Sequence, residues 1–303
     1  MVVVVGSVNV DVAAQLDRWP AEGETLPARQ GWLAPGGKGG NQAVAAARQG
    51  TAVRLVSAVG RDALAAVALS EVRAAGVDLH VRELPDAPTG MALIWIGAGG
   101  GNTIVVVRGA NALVEGAQVR ALPPPAPGDV VLISLEIPLA AAVAAAEWGK
   151  AAGAQVMVDP APAPRELPAA LWRADVLMPN RGEAEQLLGH AVAAGGEVDA
   201  ARELTARGAR LGIVKLGERG IAWSGPSGDG RLPALPVAVV DSTGAGDAFA
   251  GALAAHLADG REVGDALRRA SQVAAVACMR PGAQTVPTWE EVRAHLTGES
   301  GGF

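Results

Sequence analysis

The residues best placed to do chemistry are those from Asp241 to Asp247, Asp-Ser-Thr-Gly-Ala-Gly-Asp. Val237 to Val240, just before them, is a short β-branched run that reads as strand, and Ala248 to Ala258, just after, is rich in Ala and Leu and reads as helix. The motif therefore stands where a strand is expected to turn into a helix. Gly244 and Gly246 lack side chains, so backbone N–H groups can approach a ligand closely there. The first N–H groups of a helix have no partner within it, and the helix dipole adds partial positive charge. Together they make a pocket for an anion. An acid at a helix start ordinarily serves the dipole. Asp247 beside a bound anion has a second use, accepting the proton of a hydroxyl that attacks a phosphoryl group. The heptapeptide alone leaves both readings open.

Other polar residues gather where α/β proteins bind ligands, at the C-terminal ends of expected strands. They are Asn9, Asp11, Lys38, Asn41, Glu136, Asn180, Glu183 and Asp247. Carboxylates and amides of this kind suit the paired hydroxyls of a sugar. With an anion pocket, the inventory points to phosphoryl transfer to a sugar. Each residue has a plainer use as well: Asn9 and Asp11 in a turn, Asn41 as a helix cap, Lys38 on the surface.

The elements that must position these residues follow a regular pattern. Val2 to Val5 is a continuous apolar run, as in a strand buried on both faces of a parallel sheet. Ala13 to Leu33 carries Pro20, Gly23 and Pro27, has no helical period, and reads as short strands and turns outside the main sheet. Gly36 to Gly40 leads into an Ala-rich helix, Gln42 to Gln49. Val53 to Val59 is strand and Ala63 to Ala75 helix. Met91 to Ile96 and Thr103 to Val107 read as a hairpin around Gly97 to Asn102. From Val130 onward strands and helices alternate, which indicates a parallel sheet covered on both faces. The strands are Val130 to Leu135, Gln155 to Val158, Asp175 to Met178 and Leu211 to Leu216. The helices are Leu139 to Ala152, Arg181 to Leu188 and Val198 to Arg207. A turn is expected at Gly228 to Gly230 inside a β segment, Ile221 to Val239. The remainder, Ala248 to Leu296, reads as mostly helical, broken at Gly282 to Gln284.

Composition excludes several classes. The chain has 303 residues, half of them hydrophobic, and a net charge of −6, which argues against nucleic acid and an anionic membrane surface as partners. No charge-free apolar run approaches the ~20 residues of a membrane span. The single cysteine, Cys278, allows no internal disulfide and suits a reducing cytoplasm. The glycines around Lys38 lack P-loop spacing, the first strand is not followed by Gly-x-Gly-x-x-Gly, and Gly-x-Ser-x-Gly is absent. His80, His190, His256 and His295 show no metal-ligand spacing.

Three stretches, Gly6 to Asp11, Gly36 to Ala43 and Asp241 to Asp247, resemble the signatures of the PfkB-type carbohydrate kinases, the ribokinase family. Gly109 to Ala112, Asp159 to Ala163 and Gly282 to Gln284 also look like that family, and the likeness runs from Val3 to about Arg293. Motifs in the right order and spacing are far more specific than any one of them. The resemblance implies a Rossmann-like three-layer α/β/α fold with a mostly parallel central sheet. It also implies one domain over 1–303 and a small β lid from about 13–33 and 90–108. It implies an ATP-dependent kinase with Mg²⁺ and K⁺, a homodimer through the lid, and Asp247 as base, with Gly244, Ala245 and Gly246 as anion hole. Asn9, Asp11, Gly37, Lys38, Asn41 and Glu136 would bind the sugar. Asn180, Lys215, Gly217, Gly220, Gly246 and Ser271 would lie along the nucleotide, with Glu183 linked indirectly to Mg²⁺. Asp241, Thr243, Ala277, Arg280, Gly282 and Val286 match the positions of a monovalent cation site. The expected acceptor is D-ribose at O5. An amide at Asn9 can pair with the 2-hydroxyl that deoxyribose lacks. Other readings are kinases of 2-deoxyribose, fructose, adenosine or pseudouridine, or a non-catalytic sugar sensor. The chain departs from the family pattern at Lys215, often a small polar residue, at Ser271, often His or Asn, and at Arg181-Gly182.

Overall fold

The computed structural model describes residues 1–99 and 101–298, so the last residues of the expected 1–303 span, 299–303, lie outside it. Strands are β1 (Val2–Val5), β2 (Asn9–Gln15), β3 (Gln30–Gly36), β4 (Val53–Gly60), β5 (Asp78–Leu84), β6 (Gly90–Ile96) and β7 (Asn102–Val107), then β8 (Val130–Ser134), β9 (Gln155–Asp159), β10 (Val176–Leu177), β11 (Leu211–Lys215), β12 (Ile221–Gly225) and β13 (Gly228–Leu232). Helices are α1 (Lys38–Arg48), α2 (Ala63–Ala68), α3 (Ser70–Ala74), α4 (Gly116–Arg120), α5 (Leu139–Ala151) and α6 (Ala169–Trp172), then α7 (Arg181–Leu188), α8 (Glu197–Ala206), α9 (Ala245–Ala258), α10 (Val263–Ala277) and α11 (Trp289–Thr297).

The main sheet runs β13-β12-β11-β10-β9-β8-β1-β4-β5, parallel from β11 to β5, with β12 and β13 antiparallel at one edge. β1 is an interior strand, between β4 and β8, and all four of its valines are fully buried. Successive side chains point to opposite faces. Val2 and Val4 accordingly join one apolar cluster, with residues of α1, α9, α10 and α11. Val3 and Val5 join the other, with residues of α5, α6, α7 and α8. The result is the expected three-layer α/β/α arrangement. Among the described residues no helix is long and apolar enough to cross a membrane.

A second sheet, β3-β2-β6-β7, stands apart from the first. β2 pairs antiparallel with β3 and parallel with β6, and β6 pairs antiparallel with β7. This is where the structure corrects the sequence reading of Asn9 and Asp11. Both lie within a strand, β2, and not in a turn.

Other local readings change, and the helix expected over Ala63 to Ala75 is two, α2 and α3. Val237 to Val240 is not a strand: Val239 and Val240 are 63% and 65% exposed and pair with no neighbouring strand. β-branched residues favour a strand only where a sheet offers them a place. α1 begins at Lys38, so Asn41 falls in its first turn and not at its cap, which is Gly37. The β12–β13 turn is at residues 226–227, ahead of Gly228 to Gly230.

Candidate active site

Asp247 lies in the first turn of α9 and is 5% exposed, while Gly246 beside it is exposed. The helix is entered through Gly244, whose φ of +75° is a left-handed value and whose position would set a Cβ 2.8 Å from the backbone of Ala283. The helical ladder begins with the Ala248 N–H donating to the Gly244 carbonyl at 2.8 Å. The N–H groups of Gly246 and Asp247 lie ahead of it, at the positive end of the helix dipole. The Ala245 N–H is taken by the Ser242 carbonyl at 3.2 Å. Of the expected trio, Ala245 therefore has its N–H occupied, while Gly246 keeps its own at the helix start.

α1 supplies the frame around Asp247. Asn41 Nδ2 donates to Asp247 Oδ2 at 2.9 Å, Gln42 Nε2 to Oδ1 at 3.2 Å, and Lys38 Nζ stands 3.5 Å from Oδ1. Asn41 is itself held, its Oδ1 accepting from Gln284 Nε2 at 3.0 Å. Burial works against the Lys38 ammonium. The carboxylates of Asp247, Asp159, Glu136 and Glu183 outweigh it and hold its pKa above the ordinary lysine value.

The second sheet closes the other side. Glu136, just past β8, accepts from the Ser7 hydroxyl, from the Lys38 N–H at 3.4 Å and from Asn9 Nδ2 at a long 3.5 Å. Asn9 is fixed by Asn111, whose Nδ2 donates to its Oδ1 at 2.8 Å. Asp11 is pushed up to about 6, first by burial, then by the charges of Glu136 and Asp247. Gly36 and Gly37 let α1 approach: a Cβ at Gly36 would run into the Asp11 carboxyl.

On the far side of Asp247, Lys215 ends β11 and donates to Asp159 Oδ1 at 2.6 Å. Its Nζ would lie 3.6 Å from a Cβ at Gly246, which places the ammonium beside the anion pocket. Asn180 and Glu183 cap α7 reciprocally: the Glu183 N–H donates to Asn180 Oδ1 at 2.9 Å and the Asn180 N–H to Glu183 Oε2 at 2.7 Å. Burial, opposed by Lys215, holds the Glu183 carboxyl above the usual carboxylate range. Gly217 and Gly220, both at positive φ, bound a short 3-10 turn after Lys215. Ser271 is on α10, and its buried hydroxyl has no hydrogen-bond partner among the described residues.

Behind α9, the Asp241 carboxylate accepts from the Thr243 and Gly282 N–H groups, each at 2.9 Å. These bonds tie together two loops that are distant in sequence. Burial would raise the Asp241 pKa, but the bonds prevail and lower it. Ala277 ends α10, Val286 is buried, and Arg280 is ion-paired with Glu291 at 2.9 Å.

A family model described as pfkB family carbohydrate kinase matches residues 1–290. The chain belongs to that family. The deoxyribokinase of Salmonella typhi is 33% identical over 301 residues, covering 98% of each chain. The ribokinase of Bacillus subtilis (strain 168) is 35% identical over 297 residues, covering 97% of this chain and 98% of its own. The solved structure of Arabidopsis thaliana ribokinase complexed with ribose and ATP matches with a TM-score of 0.88 at 31% identity, over 97% of this chain and 98% of that one. The family likeness read from the motifs is borne out, and so is the kinase reading that rested on it.

In this carbohydrate kinase the sequence reading missed residues that hold the site together: Ser7, Gln42, Asn111, Asp159 and Gln284. Asp159 carried two signals, its place at the end of a strand and its place at the head of a family-like motif, Asp159 to Ala163. Gln42 and Gln284 stood inside family-like motifs with nothing in their own chemistry to single them out. The structure brings Lys38, Asn41 and Asp247 together directly, and joins Asn9 to Lys38 through Glu136.

Proposed function

We propose that this kinase transfers the γ-phosphoryl group of ATP to O5 of D-ribose, giving ribose 5-phosphate. The observation that supports this reading most is Asp247, a buried carboxylate in the first turn of a helix whose free N–H groups favour an anion. It takes the proton from O5 as that oxygen attacks. The N–H groups of Gly246 and Asp247 receive the charge on the transferring group, which positioning and charge stabilisation carry across. Asn9, Asp11, Gly37, Lys38, Asn41 and Glu136 hold the sugar beneath the second sheet, which acts as a lid. Asn180, Lys215, Gly217, Gly220, Gly246 and Ser271 line the nucleotide.

Mg²⁺, when bound, would offset the charge of the phosphates. Asn180 and Glu183 bond each other's backbone, so they suit an ion held through water better than one held directly. K⁺ suits the oxygen donors of Asp241, Thr243, Ala277, Arg280, Gly282 and Val286. Asp241 already ties two of these segments together there, bracing the loop that enters α9. The working form is a cytoplasmic homodimer.

Ribose is preferred because Asn9 is fixed by Asn111 with an N–H left for the 2-hydroxyl, and a site built to bond a hydroxyl rejects the analogue lacking it. The second reading, 2-deoxyribose, draws on the Salmonella typhi relative. Steady-state kcat/KM for the two sugars with ATP separates them: ribose should lead by at least about tenfold, and parity or the reverse order refutes ribose. Asp247→Asn should lower kcat by roughly 10²- to 10⁴-fold with ribose binding retained. Wild-type kcat in that variant would remove the base.

A further inference from the structure

Gln42 has no place in the proposed contacts to sugar or nucleotide, yet it is fully buried in the centre of the site. Its Nε2 lies 2.9 Å from Asp159 Oδ2 and 3.2 Å from Asp247 Oδ1. An amide nitrogen carries two protons, so each carboxylate receives one. The nitrogen must face them, since the amide oxygen would be repelled by both. That oxygen is left buried without a partner among the described residues. Buried polar atoms are ordinarily paired, so an unpaired one calls for an explanation.

Asp159 gives the amide a fixed anchor. It is fully buried at the end of β9, and Lys215 Nζ holds its other oxygen at 2.6 Å. Gln42 therefore bridges a pinned carboxylate and a second one that must stay correctly turned. Asn41, fixed by Gln284, secures Asp247 Oδ2. One amide donor on each oxygen sets the rotation of the Asp247 carboxylate; Lys38 Nζ stands on the other side of Oδ1 at 3.5 Å, so the lone-pair direction left open is on Oδ2. We propose that Gln42 is the positioning residue of the base: anchored on the Asp159–Lys215 pair, it turns the Asp247 carboxylate so that one lone pair meets the incoming hydroxyl. The inference rests on the reading of Asp247 as base.

The test is a double-mutant cycle. Gln42→Met keeps size and removes both N–H groups. Gln42→Asn keeps an amide one methylene too short to bridge, and carries the test if the Met variant does not fold. Either should lower kcat about 10- to 100-fold, as misplacement of a catalytic group does, with KM for ribose and for ATP within about twofold of wild type. In an Asp247→Asn background the same change should lower kcat by less than about twofold, because the group it positions is gone. Unchanged kcat, a loss confined to KM, or an equal loss in both backgrounds overturns the proposal. If Asp247→Asn alone keeps wild-type kcat, the reading of the base fails. If Asp247→Asn loses kcat and the Gln42 variants do not, only the role of Gln42 fails.

Discussion

In its proposed role as a sugar ligand, Asp11 would serve binding at the expense of stability. Its carboxyl is pushed up from 3.8 to about 6 by burial, then by Glu136 and Asp247. In the folded chain it therefore holds its proton between about pH 4 and 6, where the unfolded chain has released it. The folded state binds more protons in that window, so stability falls as pH rises through it and stays lower above pH 6. Sugar binding has the opposite sign. Only the carboxylate can accept from two hydroxyls, so KM for ribose should be flat above about pH 7 and rise as pH falls through 6. Asp11→Asn should raise KM and flatten that profile, and should stabilise the protein at pH 7 by on the order of 1–3 kcal/mol. Titrating KM and denaturant midpoints of both proteins checks this. A steep KM profile surviving in the variant would assign the titration elsewhere. At this scale the sequence was informative where residue type is unusual for its setting, as with an acid among glycines at a helix start. It was silent on Gln42, because a glutamine on a helix means nothing until α1 and α9 pack.

Those helices approach as closely as they do because small residues line the contact. A Cβ at Gly39 would meet the backbone of Gly6 at 2.6 Å, and one at Gly251 would meet the Gln42 carbonyl. The first fixes α1 against the end of β1, the second α9 against α1. Gly39→Ala should therefore cost about 1–3 kcal/mol by overpacking. It should also lower kcat, since α1 carries Lys38, Asn41 and Gln42 together. Gly264→Ala in α10 is the control: a Cβ there meets nothing within 4 Å, so helix propensity should make it neutral or stabilising by up to about 1 kcal/mol. Equal midpoints and rates for the two variants would show that the close approach does not position the site. Elements were legible where burial is two-sided: the runs that became β8, β9 and β11 are continuous and apolar because helices cover both faces. β2 was hidden because Asn9 and Asp11 interrupt its apolar residues. Val237 to Val240 misled because its composition fits a sheet that offers it no partner. β5, a half-buried edge strand, carried only a short signal at the margin of the sheet, Leu79 and Val81 alternating with His80 and Arg82.

For the whole molecule, the second sheet raises the question of what covers it. β3 and β7 are its edges, and an edge presents unpaired backbone groups that invite another chain. Trp32, Ile104 and Val106 are 41%, 49% and 45% exposed. In register they fall on the same face as Asp11, since Trp32 pairs with Ala13 and Ile104 with Ile94, two residues along from Asp11 and Ala92. A four-stranded sheet with so much apolar surface in water gains by pairing with its copy. A partner covering this face would also press the sheet down over the sugar, which links assembly to substrate affinity. Sedimentation equilibrium should give twice the 30.4 kDa chain mass. Ile104→Lys, which sets a charge on that face, should give the single-chain mass and raise KM for ribose by about tenfold or more while kcat at saturation changes little. A wild-type mass that stays at one chain across concentration refutes the dimer. A variant that is monomeric with unchanged KM keeps the dimer but cuts its link to the sugar, because the face beside Asp11 would then bind ribose equally well uncovered.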